Sequence, residues 1–248
     1  MTEPFEQPPF PVAALGSSST EVFDYIFGDT PLYHPLWAGG WSARGLRAEV
    51  EGGFLASTVA KLPRNTRILL NFGATDICFN LPHKVREEWF YDYPAFLVEI
   101  VDGISRAHAV LSQMGFDRIT AIFASPVVAL PRSYWVEMDA LFLPPAQLGR
   151  MYRDTARLAI ARGLPVIDLI DRLIVSPERP VLRPALTRKQ PNHHASFIAT
   201  QEAIWAGIRH LPDLPPPRTP FHHTHYPHQP YPLGMWRLTG QPRPRTTR

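Results

Sequence analysis

The sequence predicts an α/β fold: a flavodoxin-like three-layer α/β/α sandwich around a central parallel sheet of about five strands. Two observations carry this expectation. Short apolar runs alternate with longer segments of helical periodicity, the pattern of repeated strand–helix–strand units. The runs are also apolar nearly throughout rather than at every second residue, as strands covered on both faces must be.

The expected strands are 11–15 (PVAAL), 32–38 (LYHPLWA), 67–72 (RILLNF), 118–124 (RITAIFA) and 164–170 (LPVIDLI). The second carries Pro35, which cannot donate to a ladder and is tolerated at an edge. Helical patterns fall at 20–27, 43–60, 84–114, 145–162 and 196–209. Pro94 should divide the third of these. Its second piece places Leu97, Ile100, Val101, Ile104, Ala107 and Leu111 along one stripe, and Gly115 is a natural stop. Pro145 suits the first turn of the fourth, which Arg162-Gly163 closes.

A chain of 248 residues with 45% apolar composition suits one large domain. We divide it into a flexible arm at 1–10, an α/β domain at 11–211 and a proline- and histidine-rich tail at 212–248, which could wrap the domain through Phe221, Tyr226, Tyr231 and Trp236. The tail holds ten of the 28 prolines and has neither helical nor strand period. The net charge is only +3, with Arg243, Arg245 and Arg248 all in the tail. No basic stripe with interleaved aromatics is visible, which argues against a nucleic-acid partner. One cysteine, Cys78, excludes an intrachain disulfide and suits a reducing compartment. It reads as a small buried hydrophobe. No apolar run reaches the roughly 18 residues of a membrane span, and the start MTEPFEQPPF has no leader pattern, so a cytoplasmic location is expected. Oligomeric state is not legible.

In open parallel sheets, ligands gather where strand carboxyl ends meet the following loops. Those loops read Gly16-Ser17-Ser18-Ser19 after the first strand, Gly39-Gly40-Trp41-Ser42-Ala43-Arg44-Gly45 after the second and Gly73-Ala74-Thr75-Asp76 after the third; a long loop after the fifth carries Asn192-His193-His194. The serines could cap a helix. One could instead be a nucleophile, and a serine hydroxyl needs a neighbouring imidazole to take its proton. The histidine pair supplies a base if its loop returns to the sheet edge. A polar residue two positions past Gly73 could direct a donor at a developing oxyanion. The glycines at 39 and 40 permit close backbone approach, but their spacing is not that of a dinucleotide fingerprint. His222, His223, His225 and His228 read as a solvated segment rather than a metal site, and His83 as a candidate cleft residue.

Together these blocks resemble the SGNH/GDSL hydrolase superfamily over about residues 11–209. Gly16-Ser17-Ser18 stands where that family has G-D-S, so the resemblance implies Ser18 as nucleophile. It implies an oxyanion hole from Ser18, Gly40, Ala43 and Thr75, and His194 as the base rather than His193. Thr75 replaces the family's Asn. Pro191 stands where the triad acid would be, so Asp168, Asp171 or a main-chain carbonyl in 189–192 is expected to orient His194. Ser17, Trp41, Gly73, Asp76 and His193 are possible substrate contacts, with Trp41, Phe79 and Trp135 as candidate pocket walls. The implied function is hydrolysis or transfer of an acyl group on an O-ester of a sugar or small metabolite, without metal or organic cofactor. The alternative is a weak or inactive binding or scaffold protein that keeps the cleft.

Overall fold

A computed structural model describes residues 9–28, 30–89 and 92–224. Residues 1–8 of the expected arm lie outside the described residues, as do 225–248 of the tail with Tyr226, Tyr231 and Trp236. Five parallel strands form one sheet: β1 (Val12–Gly16), β2 (Tyr33–Trp37), β3 (Arg67–Asn71), β4 (Ile119–Phe123) and β5 (Val166–Asp168), in the order β2-β1-β3-β4-β5. Pro35 is accommodated because β2 is an edge strand, with β1 as its only neighbour.

The period-two alternation of the strands sorts their side chains into two cores. Val12, Ala14, Leu69 and Ile122 pack on one face. Against them lie α1 (Val22–Phe27) and, much later in the chain, α9 (Phe197–Ile208). Ala13, Leu15, Ile68, Leu70, Ala121 and Phe123 pack on the other. That face is covered by α2 (Leu46–Glu51), α3 (Phe54–Val59), α5 (Tyr93–Gln113) and α7 (Pro145–Ala161). The five-stranded parallel sheet between two helical layers is the architecture expected of the sequence.

Element boundaries differ in ways that local chemistry explains. The expected helix 43–60 is two, because Gly53 takes a left-handed φ of 73° between α2 and α3, a conformation that breaks helical continuation. The expected helix 84–114 also divides, into α4 (Leu81–Glu88) and α5, as Pro94 predicts. Pro94 sits in the first turn of α5, and Asp92 caps it by accepting from the Ala95 N–H. Two short helices were not foreseen: α6 (Arg132–Glu137) and α8 (Ile170–Leu173).

Residues 211–224 lie against the domain. Asp213 is buried beneath the amino ends of β3 and β4, where it pairs with Arg67 at 2.7 Å and Arg118 at 3.2 Å. The Gln201 side chain of α9 both donates to the His222 carbonyl and accepts from its N–H. Among the described residues, no helix is long and apolar enough to cross a membrane.

Candidate active site

Gly16 ends β1 and meets a turn of 3₁₀ helix at Ser18–Glu21. Only glycine fits there, since a Cβ would stand 2.2 Å from the Asn71 carbonyl and 2.3 Å from the Thr20 hydroxyl. This tight exit lifts Ser18 to the carboxyl end of β1, half-buried and reachable. At the other end of the chain, the loop before α9 brings back His194, whose Nε2 lies 2.6 Å from Ser18 Oγ. The two residues are 176 positions apart in sequence.

The protonation of this pair follows from its neighbours. The Asn192 side-chain oxygen accepts from the His194 backbone N–H at 2.8 Å and lies 3.0 Å from His194 Nδ1. A backbone N–H can only donate, so the amide atom it meets is oxygen. An oxygen beside Nδ1 requires the imidazole hydrogen there. Nε2 is then a bare lone pair, and Ser18 Oγ–H donates to it. Burial, with the adjacent His193 and the Arg188 guanidinium, holds the His194 pKa well below the ordinary histidine range. The neutral, proton-accepting form therefore dominates at neutral pH.

Neither expected carboxylate reaches His194. Asp168 Oδ1 accepts from the Ile170 N–H at the start of α8, and Asp171 pairs with Arg153 at 3.0 Å. The orienting acceptor comes from within 189–192, but it is the Asn192 side chain rather than a main-chain carbonyl.

The pair opens onto a small cleft, with about 540 Å³ of space between its walls and out through its open mouth. Ser17, Ser18, Thr75, Phe79, Ser125, His193 and His194 line it. Its floor is Val22, Ala124, Phe197 and Ile204, all buried. Ser17 Oγ and Ser19 Oγ are 3.0 Å apart. The Thr75 hydroxyl lines the cleft without a hydrogen-bond partner among the described residues. Cys78 also lines it, and burial pushes its thiol up to about 12, so it stays a thiol.

Several expected site residues stand elsewhere. The Ala43 N–H donates to Asp76 Oδ2 at 2.7 Å and is already satisfied, so it has no free hydrogen for an oxyanion. Gly40 is exposed and does not line the cleft. Trp41 is buried in the core against Phe54 and Phe72. Gly73, at φ 97°, is buried near Tyr152, Ile100 and Phe123. Asp76 is wholly buried and accepts from both the Ala43 and Arg44 N–H groups; its burial raises the carboxyl to about 6 against those bonds. It is a brace behind the site, not a substrate contact. Trp135 stands behind Phe79, edge-on at 5.6 Å. His83 is exposed and does not line the cleft. Among the described residues, no cluster of histidine, cysteine or carboxylate side chains could hold a metal ion.

Solved structures share this architecture. The chain superimposes on a GDSL-like lipase from Bacteroides thetaiotaomicron with a TM-score of 0.52 at 15% identity, over 85% of this chain and 92% of that one. A Bacteroides fragilis protein named as an acylhydrolase gives 0.52 at 15% identity, over 84% and 92%. No protein-family model and no curated protein matches the chain. At such identity the likeness establishes the fold: the chain has an SGNH/GDSL hydrolase-like α/β fold.

Proposed function

We propose that the protein is a serine ester hydrolase acting on a small O-ester of a sugar or metabolite, with Ser18 as nucleophile and His194 as base. The observation that carries this reading is the 2.6 Å contact from His194 Nε2 to Ser18 Oγ, with Nδ1 held by Asn192. A working serine–imidazole pair sits at roughly that distance. Ser18 Oγ attacks the ester carbonyl as its proton passes to His194 Nε2. The tetrahedral oxyanion is received by the Ser18 N–H, which opens a 3₁₀ turn and so has no intrahelical acceptor, and by the Thr75 hydroxyl. Collapse expels the alcohol, which takes the proton from Nε2. A water, deprotonated by the same nitrogen, then releases the acid and frees Ser18; an alcohol in that place would make the reaction acyl transfer. No step requires a metal or an organic cofactor.

The binding-or-scaffold alternative draws on one observation: among the described residues no carboxylate bonds to His194 Nδ1, so turnover is expected to be slow. An active-serine phosphonate probe separates the two. The hydrolase reading expects covalent labelling of the wild type and none of Ser18→Ala, with both proteins giving the same circular dichroism spectrum. Labelling retained in Ser18→Ala sinks it.

A further inference from the structure

His193 is neither the base nor a structural filler. Its ring stands edge-on to Phe79 at 4.9 Å and beside His194 at 4.1 Å, and it lines the same cleft as Ser18. Its Nδ1 lies 2.7 Å from the Tyr134 hydroxyl of α6, which also accepts from the His193 backbone N–H at 3.3 Å. The arrangement that gives the hydroxyl hydrogen an acceptor among the described residues has it donate to Nδ1. Burial raises the Tyr134 pKa, keeping that hydrogen in place. Burial and Arg188 lower the His193 pKa to about 4, so the ring is neutral at pH 7 and has one N–H. With Nδ1 accepting, that N–H is on Nε2. Nε2 makes no hydrogen bond among the described residues and is not a buried orphan, and His193 lines the cleft.

We propose that His193, fixed as its Nε2–H tautomer by Tyr134, is a specificity-determining donor that recognises an oxygen on the alcohol portion of the substrate, selecting sugar or polyol esters over plain aryl and alkyl esters. The proposal rests on the ester-hydrolase reading. Next to this donor, the Phe79 ring gives the C–H face of a sugar an apolar wall, and Ser125 adds a hydroxyl to the lining. An alcohol portion that carries further acceptor oxygens satisfies the donor, whereas a bare aryl ester leaves it unpaired. Discrimination of this kind is far stronger than what apolar contact alone provides.

The test compares kcat/KM on glucose pentaacetate and on phenyl acetate, whose leaving group carries no acceptor beyond the ester. His193→Phe keeps a ring without the donor, and His193→Gln restores an N–H near the Nε2 position. His193→Phe should lose about 10- to 100-fold on the sugar acetate and under about threefold on phenyl acetate. His193→Gln should recover most of the loss. Long-range proton–nitrogen correlation spectra should show the His193 hydrogen on Nε2 in the wild type and a mixture of tautomers in Tyr134→Phe. Equal losses on both esters, no loss on either, or a hydrogen on Nδ1 in the wild type would each overturn the role of His193 alone. A wild type silent toward both esters and unlabelled by the phosphonate overturns the hydrolase reading, and this role with it.

Discussion

Asn192 serves His194 through one oxygen used twice, on the backbone N–H and on Nδ1. A neutral amide fixes the tautomer but adds no charge to steady the imidazolium. Asn192→Ala should therefore lower kcat/KM by at least about tenfold, because Nδ1–H loses its acceptor. Asn192→Asp should raise the His194 pKa and move the acid limb of the kcat/KM profile upward, since a carboxylate favours the charged ring. In the wild type the lowered His194 pKa keeps the ring neutral, so activity should hold steady from about pH 6.5 upward. A wild-type acid limb centred above 6.5 would contradict that environment. The role of this residue was partly legible. An Asn side chain that bonds the N–H two residues on is an ordinary turn device, and Asn192 stands two before His194. Tyr134 was not legible, because nothing near residue 134 in sequence announces a partner 59 positions away.

The turn at 42–45 and the π-helical turn Asp76–Asn80 are joined by one buried carboxylate. Local pattern carried one helical period through 43–60 without a break and resumed it only at 84, leaving 76–80 outside any expected element. What pattern could not give was the partner of the Ala43 N–H: a free N–H and an engaged one look alike in sequence. Asp76→Ala should destabilise the domain by about 2 kcal/mol or more, leaving two donors unmet, as urea unfolding would measure. Asp76→Asn has a clear pH signature. The folded pKa of about 6 exceeds the ordinary aspartate value of 3.8, so the folded state binds the proton more tightly than the unfolded chain does. Wild-type stability relative to Asp76→Asn should then rise as pH falls from about 6 to about 4, by about 3 kcal/mol, and level off outside that window. A difference independent of pH would mean that Asp76 titrates normally.

Across the whole molecule, the arrangement of five strands was legible because each is short, apolar and followed by a helical period. The fate of residues 211–224 was not, since their prolines hide any repeat and their contacts are ionic and long-range. Asp213 lies 146 positions from Arg67, yet the pair is nearly sealed from solvent. Asp213→Ala should cost about 3 kcal/mol, because Arg67 is left buried without a counter-charge, and its denaturation midpoint should fall accordingly. The separation of Ser18 from His194 has a consequence for biosynthesis. A ribosome moving at roughly 5–20 residues per second needs roughly 10–35 seconds to pass from one to the other. Throughout that interval the emerging polypeptide carries an unactivated serine, as inert as any surface hydroxyl. On the proposed hydrolase reading, reactivity arrives only with the loop before α9, so a growing chain would neither acylate itself nor consume esters before His194 has emerged and folded back.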